Sequence, residues 1–258
     1  MRTARFAGVG LATALVLAGC SNGGTTPTAD ATSAPASAGA SASVGAADPA
    51  AVEALTKATS QLGTTSFKIT ATSGTGFKLA GAIDPAKGVG TAELKASGTN
   101  ADLNLKTLLI EKDLYLQVPG FTKAGTWTHV DVARLPEGAN VGLRPGEIDP
   151  VNTSNLLGSA TDVHATGGNS YAGTLDLTKA AGLAGVSQVT VDNTQAQNVP
   201  FTAGLDEQGR LSVLTIQIPN AQPLEVLYTD YGVPVTAARP AASEITEAPD
   251  SLYQSLGS

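Results

Sequence analysis

The residue with the greatest chemical reach in this 258-residue chain is Cys20, its single cysteine and its single strong nucleophile. It follows Leu17-Ala18-Gly19, two small residues standing directly before the thiol. Ahead of them, Met1 to Phe6 carries Arg2 and Arg5, and Ala7 to Ala18 is an apolar run. A run of about a dozen residues is too short to span a bilayer, and its charged start and small-residue end have the pattern of a secretory signal. The rest of the chain offers little chemistry. It contains no G-x-S-x-G, H-E-x-x-H or P-loop. Gly74-Thr75-Gly76 and Gly88-Val89-Gly90 lack a third glycine. His129 and His164 are far apart, and a lone histidine is most simply a satisfied surface or core residue. Asp84, Asp113 and Asp206 fall in turns, where their side chains serve the backbone. Glu244 and Glu247 read as a solvated face, and Asn152-Thr153-Ser154 matches a glycosylation acceptor. No catalytic residue, metal ligand or cofactor is expected.

The Leu17 to Cys20 segment resembles the lipobox of bacterial lipoproteins. The resemblance implies alkylation of the Cys20 thiol by a diacylglyceryl group and cleavage just before it, so that residues 1–19 are lost. Two acyl chains hold a protein stably on a membrane, whereas one is marginal. The expected location is the extracytoplasmic face of the cell membrane, by lipid anchor. With Cys20 so used, no disulfide can form despite the oxidising compartment. A lipobox also points to a bacterium, which discounts the glycosylation acceptor.

The formal charge is −7, and without residues 1–19 it becomes −9, thirteen basic against twenty-two acidic side chains. Such a chain is repelled by nucleic acid and by anionic headgroups, which excludes nucleic acid as a partner. Residues 21–48 are Ser, Ala, Gly, Thr and Pro apart from Asn22 and Val44, with Asp30 and Asp48 as the charged positions. Segments of that composition bury too little to offset ordering entropy, so a tether is expected, with a root-mean-square span of about 30 Å. Residues 49–258 are the expected folded domain.

A helix is predicted after Asp48-Pro49, with Val52, Leu55, Ala58 and Leu62 recurring at helical spacing and Gly63 as its stop. Period-two alternation follows. Phe67, Ile69 and Ala71 share one face, and Phe77, Leu79, Gly81 and Ile83 repeat the pattern. Asp84 to Gly88 is turn chemistry before a strand at Val89 to Ala96. Ala101, Leu103 and Leu105 alternate with polar residues, and Leu114, Leu116 and Val118 follow a turn at Glu111-Lys112-Asp113. Further strands are expected at Trp127 to Val132, from Gly168 through Leu177, and at Val189 to Asp192, Pro200 to Leu205, Leu211 to Ile218 and Leu224 to Tyr228. A second helix is expected from Val151 to Ala160, opened by Asp149-Pro150. Residues 134–148 read as irregular, 178–187 as a small helix or loop, and the tail after Pro240 as extended.

The expected fold is therefore α+β, a single large curved antiparallel sheet in the form of a half-open barrel, with a few helices covering its concave face. Aromatics are scarce, at five Phe, five Tyr and one Trp, which leaves room on that face for a guest. Candidate cavity liners are Phe67, Ile69, Phe77, Leu79, Leu103, Leu105, Leu114 and Leu116. The same residues could instead form a closed core, since Leu and Val fill such a space equally well.

Beyond the lipobox, four segments in order are similar to the LppX/LprAFG family of actinobacterial lipoproteins. They are Leu114-Tyr115-Leu116-Gln117 followed by Trp127, and Gly167-Gly168 with Tyr171-Ala172-Gly173-Thr174-Leu175-Asp176. The others are Asp206-Glu207-Gln208-Gly209-Arg210-Leu211, which matches a D-x-x-G-R-L hairpin, and Thr229-Asp230-Tyr231-Gly232-Val233-Pro234-Val235, which matches a D-[FY]-G-x-P-V strand. The resemblance covers most of residues 50–240. It implies a fold like the periplasmic carrier LolA and a hollow between sheet and helices that holds acyl chains of envelope lipids or lipoglycans. It implies no catalytic residues, and a lipid transporter as a further partner. The irregular 134–148 loop and the 178–187 segment depart from the family and are expected at the cavity mouth. The alternative is a structural or signalling envelope lipoprotein with a filled core that binds another protein.

Overall fold

The computed structural model describes residues 47–97, 102–120, 122–135, 143–146, 148–178 and 193–256. The signal, Cys20 and the tether lie outside them, as do the strand expected at Val189 to Asp192 and nearly all of the 178–187 segment.

Helix α1 (Pro49–Leu62) begins where Asp48 stays extended and its carboxylate accepts from the Ala50 amide at 3.0 Å. Pro49 occupies the first turn, where a missing N–H does no harm. The buried stripe is Ala51, Leu55, Ala58, Thr59 and Leu62. Val52, expected on that stripe, is 40% exposed. It sits about 100° around the helix from Ala51, and the 51/55/58/62 spacing keeps the tighter face.

Twelve strands make one open sheet: β1 (Phe67–Ser73), β2 (Phe77–Asp84), β3 (Val89–Ser97), β4 (Asp102–Ile110), β5 (Asp113–Gln117), β6 (Trp127–Val130), β7 (Thr161–Gly167), β8 (Ser170–Leu175), β9 (Val199–Leu205), β10 (Leu211–Ile216), β11 (Leu224–Thr229) and β12 (Ile245–Glu247). The spatial order is β12-β6-β5-β4-β3-β2-β1-β11-β10-β9-β8-β7. It consists of two antiparallel meanders, β1 to β6 and β7 to β11, joined where β1 pairs β11. Among the described residues, only the short β12 is parallel to its neighbour, β6. The turn between β2 and β3 is built as its composition requires. Asp84 accepts from the Lys87 amide at 3.3 Å and pairs with the Lys87 ammonium at 2.7 Å, and Gly88 supplies φ +63°.

The remaining helices are short: α2 (Thr153–Gly158), α3 (Asn193–Ala196) and α4 (Asp250–Leu256). Helix α2 is shorter than the span expected from Val151 to Ala160. Asn152 takes φ +55°, and Asp149 accepts from the amides of Val151 (3.0 Å) and Thr153 (2.8 Å) in place of a first helical turn. Strand β7 was not expected, nor were the 3₁₀ turn Ala242–Glu244, β12 and α4 in a tail read as extended. Helix α1 lies against α2, β7 and β10, and its buried residues join the apolar core of the sheet's inner face. Among the described residues, no helix is long and apolar enough to cross a membrane.

Candidate functional site

Strand register brings all eight candidate liners to one face. Phe67 stands opposite Ile83, and Ile69 opposite Gly81. Phe77, Ala96 and Leu103 form one cross-strand row, and Leu79, Leu94 and Leu105 the next. Leu114 pairs Leu109, and Leu116 pairs Thr107, continuing the same face across β4 and β5.

Their packing divides them. Phe67, Ile69 and Leu79 are each 1% accessible, and Leu114 and Leu116 are 0%. A side chain with so little accessible surface borders no gap that would admit a water molecule, so these five are core packing. The residues that fill the space around them come from both helices and loops: Leu55, Ala58 and Leu62 of α1, Leu156 and Leu157 of α2, and Leu143, Val151, Leu252 and Tyr253. Leu143 belongs to the irregular loop expected at a cavity mouth. It is 1% exposed, and its Cδ1 lies only 3.0 Å from where a Cβ on Gly90 would stand, so this part of the loop seals the inner face.

Phe77, Leu105 and Leu103 behave differently. Phe77 and Leu105 are half-buried against the core, and Leu103 is 43% exposed. Among the described residues, the apolar inner face thus runs from a packed centre to an exposed margin at one end of β2, β3 and β4.

One polar group is sunk into the packed part. The Tyr228 hydroxyl meets the Thr153 hydroxyl at 2.5 Å, with Tyr228 3% and Thr153 0% exposed. Burial pushes the Tyr228 phenol well above its ordinary range, with the nearby Asp149 charge acting in the same sense. Burial also raises the Asp149 carboxyl, against the hydrogen bonds from Thr153 and Val151. The pair is a satisfied anchor for α2 on β11 rather than an acid–base couple.

The opposite face carries what the sequence reading did not assemble. Asp113 and Tyr115 on β5, His129 on β6, Glu247 on β12 and Arg239 on the connecting tail converge. His129 Nε2 lies 3.3 Å from an Asp113 oxygen, and Nδ1 lies 3.0 Å from a Glu247 oxygen. Arg239 donates to Tyr115 at 2.6 Å and pairs with Asp113. Arg239, helped by His129, holds the Asp113 carboxyl below the usual carboxylate value, while burial raises the Tyr115 phenol. Alternation along β5 and β6 places 113, 115 and 129 on one face, a signal present in the sequence. Glu247 and Arg239 arrive from over a hundred residues away and carry no local signal. Both imidazole nitrogens face carboxylates, which leaves neither available to take a proton from a nucleophile. Among the described residues, no group of three or more His, Cys, Asp or Glu could hold a metal ion.

A hollow of about 370 Å³ also opens on this outer face, lined among others by Asn104, Lys106, Gln117, Val118, Pro119 and Thr122. None of the eight apolar candidates lines it. Its loop is braced internally: the Val118 backbone amide donates to the Thr122 hydroxyl at 2.9 Å, and the Gln117 side-chain Nε2 donates to the Thr126 carbonyl at 3.1 Å. Compared with family models and with curated proteins, the chain matches none.

Proposed function

We propose that this chain is a cell-envelope lipoprotein that binds acyl chains of lipids or lipoglycans at its apolar inner face and carries or presents them. Cys20, diacylglycerylated, anchors it on the extracytoplasmic side of the membrane. The likeness to LppX/LprAFG lipoproteins, stated above on sequence segments, points the same way. The observation that carries the reading is the exposed margin of the inner face. Leu103 at 43% exposure, with half-buried Phe77 and Leu105, continues a core surface into solvent in one apolar patch.

The energetics favour such a surface. A methylene passing from an apolar phase to water costs about 0.8 kcal/mol, so a sixteen-carbon chain faces roughly 12 kcal/mol. Contact with Leu103, Phe77 and Leu105 offsets part of that. Deeper insertion requires the packed side chains under α1 and α2 to move apart. The test is mass spectrometry of lipid extracted from the full lipoprotein after gentle purification from its native membrane. A reproducible, stoichiometric acylated lipid supports the proposal, and its consistent absence overturns it.

One observation favours the alternative, a lipoprotein with a filled core that binds another protein. Phe67, Ile69, Leu79, Leu114 and Leu116 leave no water-sized gap beside them. Recovery of a stoichiometric protein partner with no bound lipid would decide for it.

A further inference from the structure

The chain leaves β11 in the middle of the sheet and travels to the far edge. The Gly232 amide donates to the Ser66 carbonyl at 2.9 Å, and the Ser66 hydroxyl donates to the Val233 carbonyl at 2.8 Å. Arg239 then reaches Asp113 and Tyr115. Next, β12 lies parallel to β6, with the Ala248 amide donating to the His129 carbonyl at 2.9 Å. Finally α4 inserts Leu252 and Tyr253 into the core, where the Tyr253 hydroxyl accepts from the Asp131 amide at 2.9 Å. The Arg134 guanidinium lies 4.1 Å from the centre of the Tyr253 ring. A three-residue parallel strand is a weak attachment, so the side chains beside it decide how firmly the segment holds.

We propose that His129 is a pH-sensitive clasp for this C-terminal segment, closed when the imidazole is protonated and loosened when it is neutral. The groups that face the ring are Asp113 and the Tyr115 ring (centroids 5.3 Å apart) from β5, Glu247 from β12, and Arg239 acting through Asp113. Two nitrogens meet two carboxylates, and only the imidazolium has two N–H groups to give. Loss of one proton leaves a lone pair against a carboxylate oxygen at about hydrogen-bond distance. Asp113 keeps Arg239 as a partner whatever the state of the ring. Glu247, its side chain 77% exposed, is therefore the group released, and β12 loosens with it. Leu252 and Tyr253 share the apolar core of the inner face, so release uncovers that core at the β6 edge. The device holds whatever the inner face binds.

The other histidine cannot mimic the effect. His164 lies on β7, at the opposite edge of the sheet, with Nδ1 2.7 Å from the Asp162 carbonyl. The test is hydrogen–deuterium exchange of the full lipoprotein in detergent at about pH 5.5 and about pH 8, corrected for intrinsic exchange. Amides of residues 245–253 should lose protection about fivefold at the higher pH, the scale of one exposed ion pair. Amides of β1 to β3 should not change. His129→Gln should abolish the response. Equal protection at both pH values, or the same loss in His129→Gln, overturns the proposal. Should His129→Gln fail to fold, Glu247→Gln, altered at an exposed position, carries the same test. A pH response that persists in it overturns the clasp, and a response that disappears supports it.

Discussion

The guanidinium of Arg210 lies 4.5 Å from the centre of the Tyr231 ring. Two segments singled out in the sequence, one ending in Gly209-Arg210-Leu211 and one containing Asp230-Tyr231-Gly232, thus meet in space. Arg210 is fixed from the other side by Asp206, with its Nε donating at 2.7 Å, and its own amide donates to Asp206 at 2.9 Å. The Tyr231 hydroxyl donates to the Leu211 carbonyl at 2.6 Å, and its ring lies 6.0 Å from that of Phe67. The hairpin turn after β9 is thereby tied to the end of β11 and to the first residue of β1.

Tyr231→Phe removes one hydrogen bond and leaves a partly buried carbonyl unmatched. The expected loss is about 1–2 kcal/mol, read as a lower urea midpoint at unchanged slope. Arg210→Ala gives up the ion pair and the stacking together, for a loss of about 1 kcal/mol. The double variant should be less destabilised than the sum of the two, because the residues share one contact.

The inner face should separate stability from binding. Leu79→Ala, in the packed centre, should cost about 2–4 kcal/mol of unfolding free energy. Leu103→Asp, at the exposed margin, should change the denaturation midpoint by less than about 0.5 kcal/mol. It should nonetheless weaken binding of a fluorescent fatty acid at least tenfold, if the margin is where acyl chains enter. Unchanged binding in Leu103→Asp with intact folding would remove the margin from the proposed site.

The sheet was legible because alternation is a local property. Each strand from Phe67 to Leu116 declared its buried face through residues two apart, and the registers preserve that assignment without a slip. Coverage of the face was not legible. Whether Leu79 or Leu103 is sealed depends on Leu143, α1 and α2, and alternation within one strand says nothing of them. The outer-face cluster was partly visible: Asp113, His129 and Glu247 were noted singly, as a turn residue, an isolated histidine and part of a solvated face. Their convergence needs β12, a strand of three residues without an apolar pattern of its own. The tail after Pro240 was read as extended for the same reason: α4 is short, and its attachment rests on Tyr253, Arg134 and Asp131 rather than on helical periodicity.

Acid should destabilise the domain through Asp113 and Asp206. The Arg239 hydrogen bond leads in lowering Asp113. For Asp206, desolvation acts upward but is outweighed by the Arg210 amide, the Arg210 side chain and the Gln208 amide. A carboxyl depressed in the folded state contributes stability above its unfolded value, and that contribution is lost as pH falls through the folded one. Stability should therefore fall below about pH 4, and Asp113→Asn with Asp206→Asn should flatten the fall. Asp149, raised by burial, has the opposite sign: its contribution is present at low pH and lost as pH rises. Asp149→Asn should accordingly steepen the decline, measured as urea midpoints from about pH 6 to about pH 2.5.

Gly81 shows how closely the sheet and its inner face are fitted. A Cβ there would stand 2.8 Å from the Thr91 carbonyl oxygen and 3.2 Å from Ile69 Cγ2. The first neighbour is backbone of the adjacent strand and cannot turn aside. Gly81→Ala must therefore displace β3 from β2, at an expected cost of about 1–3 kcal/mol in urea unfolding. Gly90→Ala presses instead on Leu143 Cδ1 at 3.0 Å, a side-chain end that can rotate. Its cost should be smaller, about 1 kcal/mol or less, with exchange protection lost in residues 143–146 before the strands respond. If Gly81→Ala proved as mild as Gly90→Ala, β2 and β3 would have room to part, and the rigid inner face inferred from the 1% exposures of Ile69 and Leu79 would be a looser surface, better able to admit an acyl chain.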